Sequence, residues 1–101
     1  MKTREELASL GIENAKVEEI MVLQEKMMEQ AVKFQFRKKD GSVRDAVGTL
    51  RRELMKQEDG TLWEPKGEGK PEPLTIIRFF DCVKGLWRSF TCTEFIGLVE
   101  A

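Results

Sequence analysis

The spacing of apolar residues changes along the chain, and each change predicts an element. Thr3 stands three residues before Glu6, the spacing of a reciprocal helix cap. Leu7 and Leu10 follow as a short stripe, and Gly11 is suited to end the helix. Asn14 is the expected N-cap of a second helix over about 14–29. Its apolar face is Val17, Ile20, Met21, Leu23, Met27 and Met28, with Glu18, Glu19, Glu25, Lys26 and Glu29 between them. From Val32 the period drops to two: Val32, Phe34 and Phe36 alternate with Lys33, Gln35 and Arg37. Asp40-Gly41 then marks a hairpin turn, and Val43, Asp45, Val47 and Thr49 return. A two-residue turn pairs Val47 with Phe34 and Asp45 with Phe36, whereas a bulged three-residue loop moves that register by one.

The second half repeats the theme. Residues 50–56 read as a helical turn or a continuing strand. Asp59-Gly60-Thr61 predicts a minor hairpin ending near Trp63, and 64–73 (EPKGEGKPEP) is punctuation without an apolar residue, expected as a mobile loop. Residues 74–80 are nearly all β-branched or aromatic, with Arg78 the one charge, which predicts a strand apolar on both faces. A turn at 81–85, an alternating strand over 86–93 and an apolar strand over 95–99 complete a meander. The expected architecture is a single α+β domain over 1–101: two N-terminal helices followed by five strands at about 32–39, 42–50, 74–81, 86–93 and 95–99. The expected core is Phe34, Phe36, Val47, Leu50, Ile76, Phe79, Phe80, Phe90, Ile96 and Leu98, with Val17, Ile20, Met21 and Met28 covering one open end.

Composition narrows the functional classes. Net charge is −1 over 101 residues, so no global field attracts nucleic acid or anionic lipid. Locally, residues 31–56 carry +5, while 1–30 and 57–73 each carry −3. With no histidine, the usual general base and metal ligand at neutral pH are missing. Cys82 and Cys92 are too far apart along a hairpin for a disulfide and read as reduced thiols, which points to the cytoplasm. No apolar run approaches the ~20 residues that a bilayer needs, so no membrane partner is expected. Neither an enzyme nor a cofactor is expected.

The strand, Lys39-Asp40-Gly41 turn and strand around Arg44, together with Asp81, Lys84-Gly85 and Trp87-Arg88-Ser89-Phe90, resemble the short phage and bacterial relatives of the WYL domain. Where the full WYL domain carries Trp-Tyr-Leu, this chain has Thr75-Ile76-Ile77. The resemblance implies that the five strands form a small SH3-like (Sm-like) β-barrel. It also implies a place among domains of unknown function whose larger relatives occur in transcriptional regulators.

Arg44, Trp87 and Arg88, with Arg37 and Lys39 nearby, form the candidate binding constellation. Guanidinium groups grip phosphate or carboxylate in bidentate fashion, and an exposed indole stacks on a ring. Against this stand plainer roles: Trp87 as a barrel plug, and Arg88 paired with Asp81 or Asp45 to hold the hairpins together. The expected function is a binding or interaction module with a protein partner or self-association; the alternative is nucleic acid or a small anionic ligand.

Overall fold

The structure, a computed structural model, describes residues 1–99; the last two residues of the expected domain lie outside the described residues. Helix α1 spans Arg4–Ser9, and its cap is the one its spacing predicts: Thr3 Oγ1 accepts from the Glu6 amide while the Glu6 carboxylate accepts from the Thr3 amide. Helix α2 spans Asn14–Met27. Its N-cap is Glu13 rather than Asn14, and no side chain caps it. Val17, Ile20, Leu23, Gln24 and Met27 are buried; Met28, expected in the core, is exposed, because Met27 is the residue that keeps helical phase with Ile20 and Leu23.

Five strands follow: β1 Val32–Arg37, β2 Val43–Thr49, β3 Ile76–Asp81, β4 Leu86–Thr91 and β5 Phe95–Leu98. They form one antiparallel sheet in the order β4-β3-β2-β1-β5. The expected closed barrel is not formed: β4 and β5 are the two edges, joined by a single 3-10 turn at Cys92–Glu94. The reason lies in α2. Lys16 Nζ donates to Ile96 O, and the Leu98 amide donates to Glu19 Oε2 at 2.6 Å. Helix side chains therefore occupy the backbone groups of β5 that a closing strand would need.

The first hairpin takes the bulged register. Phe34 faces Ala46 and Phe36 faces Arg44, one residue away from the register of a two-residue turn. Lys38 N–H bonds Ser42 O and Gly41 N–H bonds Lys38 O, leaving three residues in the loop with Gly41 at φ 88°, a conformation that glycine adopts without strain. Asp40 accepts from both the amide and the hydroxyl of Ser42, and those bonds hold its carboxyl below the usual range. The slip matters, because each residue shifted changes face. It puts Ala46 and Gly48 against the core and leaves Val47 only half-buried.

The core is aromatic. Phe34 has four phenylalanine neighbours: Phe79 at 5.1 Å and edge-on, Phe90 at 5.4 Å, Phe36 at 6.1 Å and Phe95 at 6.4 Å between ring centroids. Leu7, Ile20, Leu23 and Met27 close over these rings together with Ile77 and Cys92. In β3 it is Ile77 and Phe79 that face the helices; Ile76, Arg78 and Phe80 face away. Of the other expected core residues, Leu50 and Leu98 are half-buried and pack against this cluster, while Ile76 and Ile96 are half-buried outside it. Phe80 is buried on the opposite face, where it packs on Trp87.

The 50–75 connection is ordered by several contacts. A 3-10 turn at Arg52–Leu54 precedes the expected minor hairpin, in which Lys56 bridges Leu62 and the Gln57 amide bonds Thr61 O. The far end of the expected mobile loop is tied down. Lys2 Nζ, buried, donates to Glu72 Oε1 at 2.7 Å and Pro73 O at 2.8 Å, and Glu72 Oε2 accepts from the Arg78 amide.

A Cβ on Gly48 would lie 2.7 Å from Phe79 Cδ2 and 3.0 Å from Phe34 Cε1. Gly48→Ala is expected to cost about 1–3 kcal/mol through overpacking of the ring cluster. Gly69→Ala, with nothing within 4 Å of the added carbon, should leave the unfolding free energy measured in urea within about 0.5 kcal/mol of the parent. Equal midpoints for the two variants would contradict the packing described.

Candidate functional site

Asp81 ends β3 with its side chain turned to the core face and almost wholly buried. One oxygen, Oδ1, accepts the amides of Val83 at 2.9 Å and Lys84 at 3.0 Å, which shapes the β3–β4 turn. The other, Oδ2, accepts from Arg44 Nη2 at 3.1 Å, and Arg88 Nε lies 3.2 Å away from it. Strand parity explains the meeting: Arg44 opposes Phe36, and Arg88 opposes Phe79, so both guanidiniums stem from the core face at one end of the sheet. The pairing is therefore first a clamp between β2, β3 and β4, as the plainer reading of Arg88 has it. One carboxylate faces two guanidiniums, and the Nε–H groups of Arg44 and Arg88 find no hydrogen-bond acceptor among the described residues.

Trp87 does not join them. It lies on the outer face opposite Phe80, half-buried, and packs edge-on against Trp63 with centroids 5.2 Å apart and planes at 71°. Trp63 arrives from the minor hairpin, its amide bonded to Met55 O. The two indoles line an open groove of about 530 Å³ with Arg78, Ser89, Gly69 and Arg88. Arg78 opposes Ser89 on the outer face, and its guanidinium donates to Lys70 O at 3.2 Å. Because β4 is an edge strand, a groove lined by Trp87 and Ser89 from one face and Arg88 from the other reaches the open edge of the sheet. Trp87 Nε1 is shielded and has no hydrogen-bond partner among the described residues.

The remaining expected residues stand elsewhere. Arg37 projects from the outer face of β1 and donates to Gly41 O, and Lys39 sits exposed in the first hairpin loop. Of the five candidates the fold thus joins Arg44 to Arg88 through Asp81 and brings Trp87 into a different group with Arg88 at its border. Trp63 and Arg78 belong to that group and were not anticipated. Arg78 carried a signal, being the one charge within the run 74–80. Trp63 carried only the repeat of the Asp-Gly pattern before it.

No cluster of three or more His, Cys, Asp or Glu that could hold a metal occurs among the described residues. Burial pushes both thiols up, helped at Cys82 by the Asp81 charge, so neither is a thiolate at neutral pH. No helix is long and apolar enough to cross a membrane.

Removing the shared carboxylate should be the costliest single change at the clamp. Asp81→Ala strands two guanidiniums and two turn amides and is expected to cost about 3–5 kcal/mol. Arg44→Ala should cost about 1.5–3 kcal/mol. Arg88→Ala should cost less than Arg44→Ala, because the Arg88 side chain is 35% exposed against 21% and water screens its share. Chemical denaturation of the three variants checks the order; Arg88→Ala costing more than Asp81→Ala would contradict it.

No curated protein and no solved structure matches the chain. A family model described as WYL_2, Sm-like SH3 beta-barrel fold, matches residues 20–96, from within α2 into β5 and across every strand between. The clamp, the groove and strands β1 to β4 lie inside that match, and the chain belongs to the WYL_2 family.

Proposed function

We propose that this chain is a non-catalytic binding module that takes a protein partner on the outer face of β3 and β4, in the groove between Trp63 and Trp87. The observation that carries the reading is the grouping of both tryptophans of the chain, with Arg78, in one open groove at the sheet edge. Tryptophan and arginine are the residues that most often dominate protein interfaces, since each combines a large contact area with directional hydrogen bonding. The surroundings favour a protein over a small solute. Leu62, beside Trp63, is 51% exposed, and Val83 and Leu86 at the β3–β4 turn are 72% and 45% exposed. Leu62 and Trp63 share one surface hollow, and Val83 and Leu86 share the next along the 57–63 hairpin. Apolar surface that gathers in one region, rather than scattering singly, is what a docking face leaves uncovered. The absence of histidine from the sequence and the protonated thiols support a non-catalytic role. Unpaired cysteines suit a reducing compartment such as the cytoplasm.

A second reading is nucleic acid or a small anionic ligand. It is favoured by Arg78, which brings a guanidinium to a groove lined by no carboxylate, with Arg88, paired to Asp81, at its border.

Both tryptophans lie in the groove, so all intrinsic indole fluorescence reports on it. With the chain immobilised, a protein captured stoichiometrically by the parent and lost from Trp63→Ala and Arg78→Glu, each with unchanged circular dichroism, is the expected result. Lys33→Glu, on the outer face of β1, should still capture it. Capture that is equal in all variants, or none at all, rejects the protein reading. Retention of single-stranded DNA or RNA that quenches the indoles at about 50 mM salt and is lost by about 300 mM selects the second reading instead.

A further inference from the structure

The two edges of the sheet are not equivalent. Lys16 and Glu19 already hold the outward carbonyl of Ile96 and the outward amide of Leu98, so β5 cannot accept another strand without losing both bonds. Among the described residues no such side-chain bonds cover β4. The Cys92 amide donates to Thr75 O, and the ladder continues with Ile77 opposite Phe90 and Phe79 opposite Arg88. That parity turns the backbone groups of Trp87 and Ser89, and the amide of Thr91, away from β3. Among the described residues no other element bonds them. An uncovered strand edge is a template for pairing, and proteins commonly blunt such edges with charge, proline or a bulge. The outward-bonding positions of β4 carry none of these: they are Trp87, Ser89 and Thr91.

We propose that β4 pairs antiparallel with β4 of a second copy of this chain, about a two-fold axis through Ser89. The strand is complementary to itself in that register. Ser89 meets Ser89 of the second copy on the axis. Trp87 meets Thr91, an aromatic against a β-branched residue, and these three pairings are all between outward-bonding positions. Arg88 meets Phe90, so no like charges are directly opposed. Arg88 comes diagonally near its own symmetry mate, but each is already paired with its own Asp81. Beyond the strand, the same operation carries the turn that bears Lys84 toward the 3-10 turn that bears Glu94, both exposed, so opposite charges approach at each end. An isologous contact of this kind closes at two, and the cover on β5 prevents the sheet from growing further. Residues directly opposed across the axis share a face, so both Trp63–Trp87 grooves stand side by side on one continuous outer face. The pairing does not depend on what the grooves take.

Sedimentation velocity across a concentration series tests it. The parent chain should pass from 11.7 kDa toward twice that mass as concentration rises. Ser89→Lys places two cations on the axis and should weaken the association by about tenfold or more, with unchanged circular dichroism. Ser89→Cys should form a disulfide-linked dimer under mild oxidation, since paired strands bring Cα atoms at the axis to about 5.5 Å, within disulfide reach. A parent chain that stays monomeric to about 1 mM overturns the proposal. So does a dimer that Ser89→Lys leaves intact and Ser89→Cys fails to cross-link. A parent chain that dimerises but captures no protein would reject the partner reading alone, and one that captures a protein through Trp63 and Arg78 while staying monomeric would reject the pairing alone.

Discussion

Five phenylalanine rings meeting on one face of the sheet are the constraint on which the rest depends. Phe34 stands at their centre, on β1, which is bonded on one side by β2 and on the other by β5. Aromatic pairs at these distances contribute about 0.5–1.5 kcal/mol each beyond the area they bury. The rings need room, which the facing strand supplies with Ala46 and Gly48, and they need a lid, which α2 supplies with Ile20, Leu23 and Met27. Every phenylalanine in the chain is buried, so the residues left to meet a partner with aromatic surface are the two tryptophans.

The lid also decides the shape of the sheet. By lying across the core, α2 brings Lys16 and Glu19 to the backbone of β5, and a helix thereby does at that edge what a closing strand would do in a barrel. The opposite edge keeps its unpaired groups. The asymmetry follows from chain order: the helices precede β1, and β5 returns to β1's free side, so the helices and the last strand share one flank while β4 is left at the other. The seam between β2 and β3 is short, with Gly48 opposite Asp81 and Thr49 opposite Phe80, and the Asp81–Arg44–Arg88 clamp reinforces it. A structural job for these charges explains why they meet, and it leaves the groove on the outer face as the surface with unspent contact chemistry.

Much of this was legible in the sequence because it is local. The Thr3–Glu6 cap, both Asp-Gly hairpins and the alternation of β1 are set by residues within a few positions of one another. What was not legible depends on face. A one-residue change at the Gly41 loop decides whether Ala46 or Val47 enters the core, and both are apolar enough to do so. Residues 74–80 offer apolar side chains to both faces, so alternation could not say that Phe79 joins the ring cluster while Phe80 anchors the tryptophans. Arg44, Trp87 and Arg88 group together by the chemistry of their side chains, yet Trp87 and Arg88 are adjacent on one strand and so point to opposite faces. Trp63 comes from a connection whose path is set by its contacts with the β3–β4 turn and by the hold of Lys2 on Glu72, neither of which has a sequence period.

Amide hydrogen exchange at low micromolar concentration tests the central claim, a sheet with one edge covered and one left open. The Leu98 amide, bonded to Glu19, should be protected, and the Trp87 and Ser89 amides, facing away from β3, should exchange quickly while their neighbours Arg88 and Phe90 are slow. Slow exchange at Trp87 and Ser89 in a protein shown to be monomeric at that concentration would mean that another element of the same chain closes over β4, and would contradict the account.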